Sequence, residues 1–251
     1  MVNQPAAEYA LAEIRHTPKL SVGIHLNICT GAPMLPPTEV PSLVTSEGKF
    51  YAPHQMVRRL ACWRVPSCEI EAEFRAQIRW MKDRGIYPTH ADAHHHLNTY
   101  PGSISAFCKA LAKEGVSRAR ATRTRHWPRN GFIGGSHGGP VHRRLLVTAY
   151  MGLLQLSVLR RFTVPDDCLV APPRHRSQWA QLLAEGWRLA LENLPPGTHE
   201  LACHPGFSEE GFSESDALRE RRELEFSILT NPEFRSVIDR AGVKLITYAD
   251  L

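Results

Sequence analysis

The amino-acid sequence predicts an α/β fold with a largely parallel sheet. Short segments with β-strand patterns, ending near His25, His94 and His204, alternate with helical segments of about ten or more residues. Strands that are separated by helices of this length are typical of βαβ units, in which neighbouring strands run parallel. The 251 residues show no internal repeat, low-complexity segment or interdomain linker. We therefore expect one domain over residues 1–251.

Two periodicities predict the elements of the first half of the chain. We expect helices over Ala6–Ile14, Glu69–Arg84 and Ile104–Glu114, and strands over Leu20–Ile28, Thr89–His94 and Ser117–Thr122. The second of these helices is the clearest, because Ile70, Phe74, Ile78 and Met81 recur at helical spacing. Gly85 follows it, as glycine often follows the last turn of a helix.

The second half of the chain continues the alternation of helices and strands. We expect helices over Arg143–Phe162, Ser177–Leu194, Ser215–Thr230 and Pro232–Ala241, and strands over Thr198–Cys203 and Lys244–Tyr248. Between them, Trp127–Gly139 is rich in glycine and is predicted to be a loop that covers a substrate.

The composition excludes several classes of protein. Hydrophobic residues make up 43% and charged residues 22%, as in an ordinary globular protein, and the net charge of +5 is too mild to indicate nucleic-acid binding. The six cysteines form no CxxC pair, so they indicate reduced thiols rather than a disulfide framework or a zinc ribbon. The longest apolar stretch, Leu145–Leu159, is too short for a membrane span and is expected to be a buried helix. With no secretory signal at the start, we expect a cytoplasmic protein.

Polar side chains at the ends of predicted strands are the candidates for chemistry, since active sites of such folds gather there. His25 lies on the polar face of the first strand, where it is either a metal ligand or a hydrogen-bonded structural residue. Glu200 and His204 bracket the end of a later strand before a proline–glycine turn. A histidine held at such a turn can exchange a proton near neutral pH, although a structural role is equally compatible.

The densest cluster is Thr89-His90-Ala91-Asp92-Ala93-His94-His95-His96-Leu97-Asn98. Alternate side chains of an extended chain share a face, so His90, Asp92, His94 and His96 are expected to project together. His95 has the opposite parity and is the least expected member. Imidazole and carboxylate ligands suit zinc, nickel, iron and similar divalent ions, which makes a metal site the favoured interpretation over an incidental polar loop.

Four motifs in order resemble the YdjC-like carbohydrate deacetylase family. They are Val22-Gly23-Ile24-His25-Leu26-Asn27 with Thr30-Gly31-Ala32-Pro33, in which Cys29 is an extra residue; Val40-Pro41-Ser42-Leu43 with Gly48-Lys49-Phe50-Tyr51; Asp92-Ala93-His94-His95-His96; and Thr198-His199-Glu200-Leu201 with His204-Pro205-Gly206. The proline-rich stretch around Leu35-Pro36-Pro37 is similar to the hopanoid-associated branch in particular. The resemblance extends from about residue 17 to the C-terminus.

The resemblance implies a TIM-barrel-like (β/α) barrel that removes an N-acetyl group from an amino sugar or a glycolipid. It implies one divalent metal ion, Mg²⁺ or Zn²⁺, whose histidine ligands correspond to His25 and to the cluster of His94 and His96. His204 and Glu200 become the candidate proton donor and the residue that orients it. Asn27, Asn98 and Arg120 are candidate substrate-binding residues.

The family opens with a strand that ends in A-D-D-F-G, and this sequence contains no such segment. We therefore expect a barrel that is incomplete or distorted at its N-terminus, or a homodimer that covers the gap. Asp92 is the candidate carboxylate that replaces the missing aspartates as catalytic base. Asn98 stands where the family commonly has histidine. The alternative function is a catalytically impaired remnant that binds a sugar or a partner. A third possible function is that of a phosphoesterase, but the sequence contains no phosphate-binding loop.

Overall fold

The computed structural model describes residues 1–121, 124–126, 149–150, 153, 156, 160–170, 179–207 and 219–251. The chain divides into two compact units. The first unit comprises Met1–Arg120, Tyr150–Val164 and Thr247–Leu251, and the second comprises Ala121–Ala149 and Pro165–Ile246. The expectation of one domain over residues 1–251 stays a prediction.

The described residues of the first unit include a short parallel strand pair and several α-helices. The helices are α1 (Ala7–Arg15), α2 (Pro53–Ala61), α3 (Ser67–Lys82) and α4 (Ser103–Lys113), the strands are β1 (Ile24–Leu26) and β2 (Ala91–Ala93), and 3₁₀ turns cover His94–Thr99 and Tyr248–Asp250. Parallel bridges from Ala91 to Ala119 and from Arg118 to Thr163 continue the pairing beyond β2. The C-terminal ends of β1 and β2 therefore meet at one edge.

The core of the first unit lies where α3 and α4 pack. Ile70, Phe74 and Ile78 of α3 are fully buried, as their helical spacing predicted. The rings of Phe74 and Phe107 meet edge to face, with their centroids 6.3 Å apart. Each helix places one apolar face against this core, and such burial contributes about 1.5–3 kcal/mol for each large side chain.

The described residues of the second unit form a three-stranded parallel sheet with helices. Its strands β3 (Thr124–His126), β4 (Asp167–Val170) and β5 (His199–Ala202) are ordered β3–β4–β5, and its helices are α5 (Trp179–Glu192), α6 (Arg219–Thr230) and α7 (Pro232–Arg240). Trp187, Ile228, Phe234 and Ile238 form its small buried core.

The structure confirms a mixed fold of helices and strands in which the named strands pair in parallel. The predicted helices over Ala6–Ile14, Glu69–Arg84, Ile104–Glu114 and Pro232–Ala241 appear within two residues of their expected ends. TIM-barrel-like closure stays a prediction, because the strands of the described residues form small sheets of two and three strands.

Some predicted elements are wrong. Lys244–Tyr248 is not a strand: Thr247 accepts a hydrogen bond from the Ala249 amide and donates one to Asp250, and these local bonds favour a turn. The first strand is only Ile24–Leu26, because the side chain of Asn27 bonds the backbone of the next residues and turns the chain.

Helix α2 was not predicted, since only a few of its residues, such as Met56 and Leu60, are buried apolar ones. The predicted loop Trp127–Gly139 and most of the predicted helix Arg143–Phe162 lie outside the described residues. Within the described part of the chain, no helix has the length and apolar character needed to cross a membrane.

Candidate functional site at the ends of two strands

The candidate site is built by the register of β1 and β2. This register pairs His25 with Asp92 on adjacent parallel strands. The Nδ1 atom of His25 lies 2.7 Å from Oδ1 of Asp92, and the other carboxylate oxygen, Oδ2, forms an ion pair with Arg120. Asp92 is 7% exposed. One buried carboxylate thus joins an imidazole and a guanidinium, and each of its oxygens has a partner.

These partners determine the charge of Asp92. Burial by itself raises the pKa of a carboxyl group, but the hydrogen bond to His25 and the charge of Arg120 outweigh it and hold the pKa of Asp92 at about 2. Asp92 is therefore ionised at neutral pH. An ionised carboxylate at Nδ1 of His25 favours the tautomer whose proton is on that nitrogen. The lone pair of His25 is then on Nε2.

His94 faces that lone pair. Its Nδ1 lies 3.2 Å from Nε2 of His25, and the two rings meet at an interplanar angle of 72°. Burial, followed by the neighbouring His95 and His25, lowers the pKa of His94 to about 3, so the ring is neutral at physiological pH. Neutral imidazole is the form that binds metal ions.

The spacing of the two nitrogens fits a shared metal ion. Two ligands with Zn–N bonds of about 2.0–2.1 Å in tetrahedral geometry lie about 3.3 Å apart. The 3.2 Å between His25 and His94 agrees with that value. Asp92 supplies the carboxylate that commonly orients a metal-binding histidine from behind. The residues present therefore fit a divalent metal ion.

The chain turns sharply after β2. The strand ends at Ala93, and His95 and His96 both have a φ of 52°, the left-handed region that residues with a side chain seldom adopt. The prediction that His90, Asp92, His94 and His96 project together is therefore wrong for His96, since alternation requires extended backbone and the turn begins at His95. The turn leaves His95 and His96 exposed and places the ring of His95 with its centroid 4.2 Å from that of His94.

Cys29 lies beside this turn, in the loop that follows β1. Its thiol, the ring of His94 and the ring of His95 offer ligand atoms that all lie within 4.8 Å of one another. Burial raises the pKa of the Cys29 thiol to about 11. Sequence reasoning missed Cys29, because it appeared only as an extra residue of a motif, and ranked His95 last. No pattern in the sequence indicated that the chain reverses at His95.

The loop that carries Cys29 is held in place by the buried side-chain amide of Asn27. Asn27 is 1% exposed; its Nδ2 donates to Thr30 O, and its Oδ1 accepts from the amide of Cys29. The side chain of Gln77 pairs with the backbone N–H and C=O of Asn27, at 3.0 and 2.6 Å. Asn98 is also buried, at 6% exposure. The predicted substrate-binding roles of both asparagines stay predictions.

Glu200 and His204 belong to the second unit. Glu200 lies in β5, opposite Cys168 of β4 in the parallel register, and is partly exposed. His204 follows the strand and is exposed, while its backbone N–H donates to the carboxylate of Glu225. Glu225 is fully buried and pairs with Arg221. The backbone of His204 is thus anchored to α6, a contact that the sequence did not indicate.

Comparisons with known proteins point to one family. The family model described as YdjC-like protein matches residues 1–240. A carbohydrate deacetylase of Halalkalibacterium halodurans is 26% identical over 237 residues, which cover 92% of this chain and 81% of the relative. A carbohydrate deacetylase of Homo sapiens is 28% identical over 270 residues, covering 100% of this chain and 80% of the relative.

A solved structure with this fold is available for comparison. It is described as a cellobiose-phosphate cleavage protein from Enterococcus faecalis V583, and the likeness has a TM-score of 0.74 over 99% of this chain and 84% of that chain. The sequence identity is 22%.

Proposed function

This chain belongs to the YdjC-like family, and from that premise we propose that it is a metal-dependent hydrolase that removes the N-acetyl group from an amino sugar or a glycolipid. Relatives that align with nearly the whole chain carry the name carbohydrate deacetylase, which supports the reaction class. The reaction adds water across the amide bond, so that acetate and a free amine are formed. The chain must therefore hold the acetamide, direct a water molecule and move one proton to nitrogen.

The observation that carries the proposal is the pair of imidazole nitrogens 3.2 Å apart, with a buried carboxylate behind one of them. We propose that His25 Nε2 and His94 Nδ1 hold the metal ion. Two imidazole ligands suit zinc, nickel or iron better than magnesium, which prefers oxygen ligands. When bound, such an ion polarises the acetamide carbonyl and makes water more acidic.

Asp92 acts in this proposal by positioning His25 rather than as the catalytic base. Both of its oxygens are engaged, one by His25 and the other by Arg120, and a carboxyl group with a pKa of about 2 is a weak base at neutral pH. The predicted substrate contact of Arg120 is accordingly replaced by the role of holding Asp92 ionised. His96, predicted as a further ligand, is exposed beyond the turn and is the weaker candidate.

His204 and Glu200 carry the proton transfer in this proposal. His204 is exposed at the end of β5, and an imidazole exchanges protons readily near neutral pH. We assign to it the proton that leaves the attacking water and reaches the departing nitrogen when the C–N bond breaks. That Glu200 orients the imidazole stays a prediction.

The test is acetate release from N-acetylglucosamine oligomers by protein freed of metal and then supplied with Zn²⁺, Ni²⁺, Co²⁺ or Mg²⁺. We expect release that depends on added metal and that is lost in His25→Ala. His54→Ala is the matched control, since His54 is an exposed histidine of α2, and it should release acetate as the unmodified chain does. Metal binding without acetate release would instead favour the alternative function, a remnant that binds sugar without hydrolysing it.

A further inference from the structure

We propose that the Cys29 thiolate is a metal ligand in this chain, together with His94 and His95, and that the site therefore selects a thiophilic ion such as Zn²⁺ over Mg²⁺. This inference rests on the proposed function, because it concerns the identity of the metal and the protein ligands that join His94. It depends on three features of the first unit: the placement of the thiol, the turn at His95 and the preferences of sulfur.

The thiol is fixed at the site by its backbone. The amide of Cys29 donates to Asn27 Oδ1 at 3.0 Å, and Gln77 holds the backbone of Asn27 in turn. Cys29 is 2% exposed and forms no disulfide. The nearest polar partners of its sulfur are the Oδ1 of Asn27 at 3.6 Å and the Oγ1 of Thr30 at 3.9 Å. These long contacts are weak, so little interaction energy would be lost if the sulfur bound a metal ion instead.

The left-handed turn is what brings His95 to the same side as His94. Consecutive side chains of a strand point to opposite faces, so in an extended chain His95 would point away from His94. With a φ of 52° at His95, the ring of His95 instead lies at a centroid distance of 4.2 Å from that of His94. The turn therefore produces two neighbouring imidazoles opposite one thiol.

The three ligand atoms are close to binding distance. They lie within 4.8 Å of one another, whereas ligands of a tetrahedral zinc ion with Zn–S of about 2.3 Å and Zn–N of about 2.0–2.1 Å are about 3.3–3.6 Å apart. Small side-chain rotations close a gap of this size. His94 is common to both sets of residues, since it faces His25 at 3.2 Å and its ring also lies beside the thiol of Cys29 and the ring of His95.

Sulfur decides which metal fits. Thiolate is a soft ligand that favours zinc, cobalt, copper and iron, whereas magnesium keeps oxygen ligands and several waters. Binding breaks the S–H bond of Cys29, forms the S–metal bond and releases one proton to solvent. A site composed of imidazoles and one thiolate therefore discriminates against Mg²⁺.

The experiment is absorption spectroscopy of the full chain loaded with Co²⁺. We expect the visible bands of a low-symmetry cobalt site together with an ultraviolet thiolate-to-cobalt charge-transfer band. Cys29→Ser should lose the charge-transfer band and keep weakened visible bands. Cys108→Ser is the matched control, because Cys108 is another buried free cysteine of the same unit, and it should keep both.

Each outcome separates this inference from the proposed function. Visible cobalt bands without a charge-transfer band in the unmodified chain would overturn the thiolate ligand and leave the histidine site standing. Persistence of the charge-transfer band in Cys29→Ser would overturn it as well. No cobalt bands in the unmodified chain would overturn the metal site altogether.

Competition with a chelating dye provides a second measurement. Zn²⁺ affinity should fall about 10- to 100-fold in Cys29→Ser and in His95→Gln, while Mg²⁺ affinity stays unchanged. An equal loss for both ions, or none for Zn²⁺, would contradict the proposed selectivity. Circular dichroism of each variant, compared with the unmodified chain, verifies that the protein is folded.

Discussion

Two buried carboxylates of the first unit have opposite surroundings. Asp92, in β2, is bound by one imidazole and one guanidinium, and the imidazole then faces a second one. Glu114 follows α4 and is surrounded by permanent cations: Arg75 at 2.9 Å, Arg79 at 2.9 Å and Lys82 at 3.3 Å. Both residues are 7% exposed.

The difference shows how a carboxylate becomes part of a reactive site. The partners of Glu114 have no lone pairs, so that cluster can only tie α3 to the end of α4. Asp92 instead contacts the imidazole of His25, which has a second nitrogen. The carboxylate makes that second nitrogen a stronger ligand and fixes its orientation. Burial and charge are similar, but only the contacts of Asp92 lead on to imidazole nitrogens, which can bind a metal ion.

The largest expected effect concerns activity. His94→Ala should reduce acetate release about 10³-fold, the order of removing one key electrostatic group from an active site, because the metal loses an imidazole. Glu114→Gln should leave acetate release within about twofold at a temperature at which it is folded. Equal losses in both variants, measured as kcat/KM, would show that the two carboxylate sites do not differ as described.

A smaller effect is expected on metal affinity. Asp92→Asn keeps the shape of the side chain but removes the charge behind His25, so we expect affinity for Zn²⁺ to fall about 10- to 100-fold. Calorimetric titration of the metal-free protein measures it. Glu114→Gln serves as the control, and a Zn²⁺ affinity in Asp92→Asn as high as in the unmodified chain would contradict the positioning role of Asp92.

For the free energy of unfolding, we expect the Glu114 cluster to matter most. Glu114→Gln leaves three cations around a neutral amide, and we expect the free energy of unfolding to fall by about 1–3 kcal/mol. Urea denaturation measures this change. Glu71→Gln is the matched control, since Glu71 pairs with Lys113, which is 54% exposed, and such a pair contributes less than about 1 kcal/mol. A similar loss in both variants would show that the Glu114 cluster stabilises the fold no more than an exposed ion pair does.

The smallest effect is a difference in acid sensitivity of the metal-free protein. The pKa of His94 is lowered from 6.5 to about 3, chiefly by burial. Between these pH values the imidazole is protonated in the unfolded chain but not in the folded chain. That contribution to stability is present above pH 6.5 and is lost as the pH falls toward 3. The pKa of Glu114 is lowered from 4.5 because the hydrogen bonds and charges of its cationic partners outweigh its burial, so its contribution is lost only below about pH 4.5.

Between pH 6.5 and 4.5, His94→Gln should therefore flatten the loss of stability, and Glu114→Gln should leave its slope unchanged. Urea denaturation at several pH values in that window measures both. A slope that is the same in His94→Gln as in the unmodified chain would contradict the low pKa of His94.

The sequence predicted the parts of the fold that depend on local patterns. The core face of α3 was predicted correctly from Ile70, Phe74 and Ile78, because a helix repeats its contacts every 3.6 residues. The pairing of β1 with β2 in parallel also followed from alternating elements. The C-terminal strand was predicted wrongly, because Thr247 and Asp250 bond locally in a way that hydrophobic alternation does not reveal.

For the site, the sequence by itself determined which side chains were candidates: His25, Asp92 and His94 stand at strand ends in a pattern that resembles a known family. Only the tertiary structure decided their partners. Parallel register, which depends on residues 67 positions apart, placed Asp92 behind His25 and left Nε2 facing His94. The left-handed backbone at His95 then broke the alternation, and the ring of His95 lies within 4.8 Å of the Cys29 thiol. Local spacing determines which face a residue occupies, whereas non-local pairing and backbone reversals determine what that face meets.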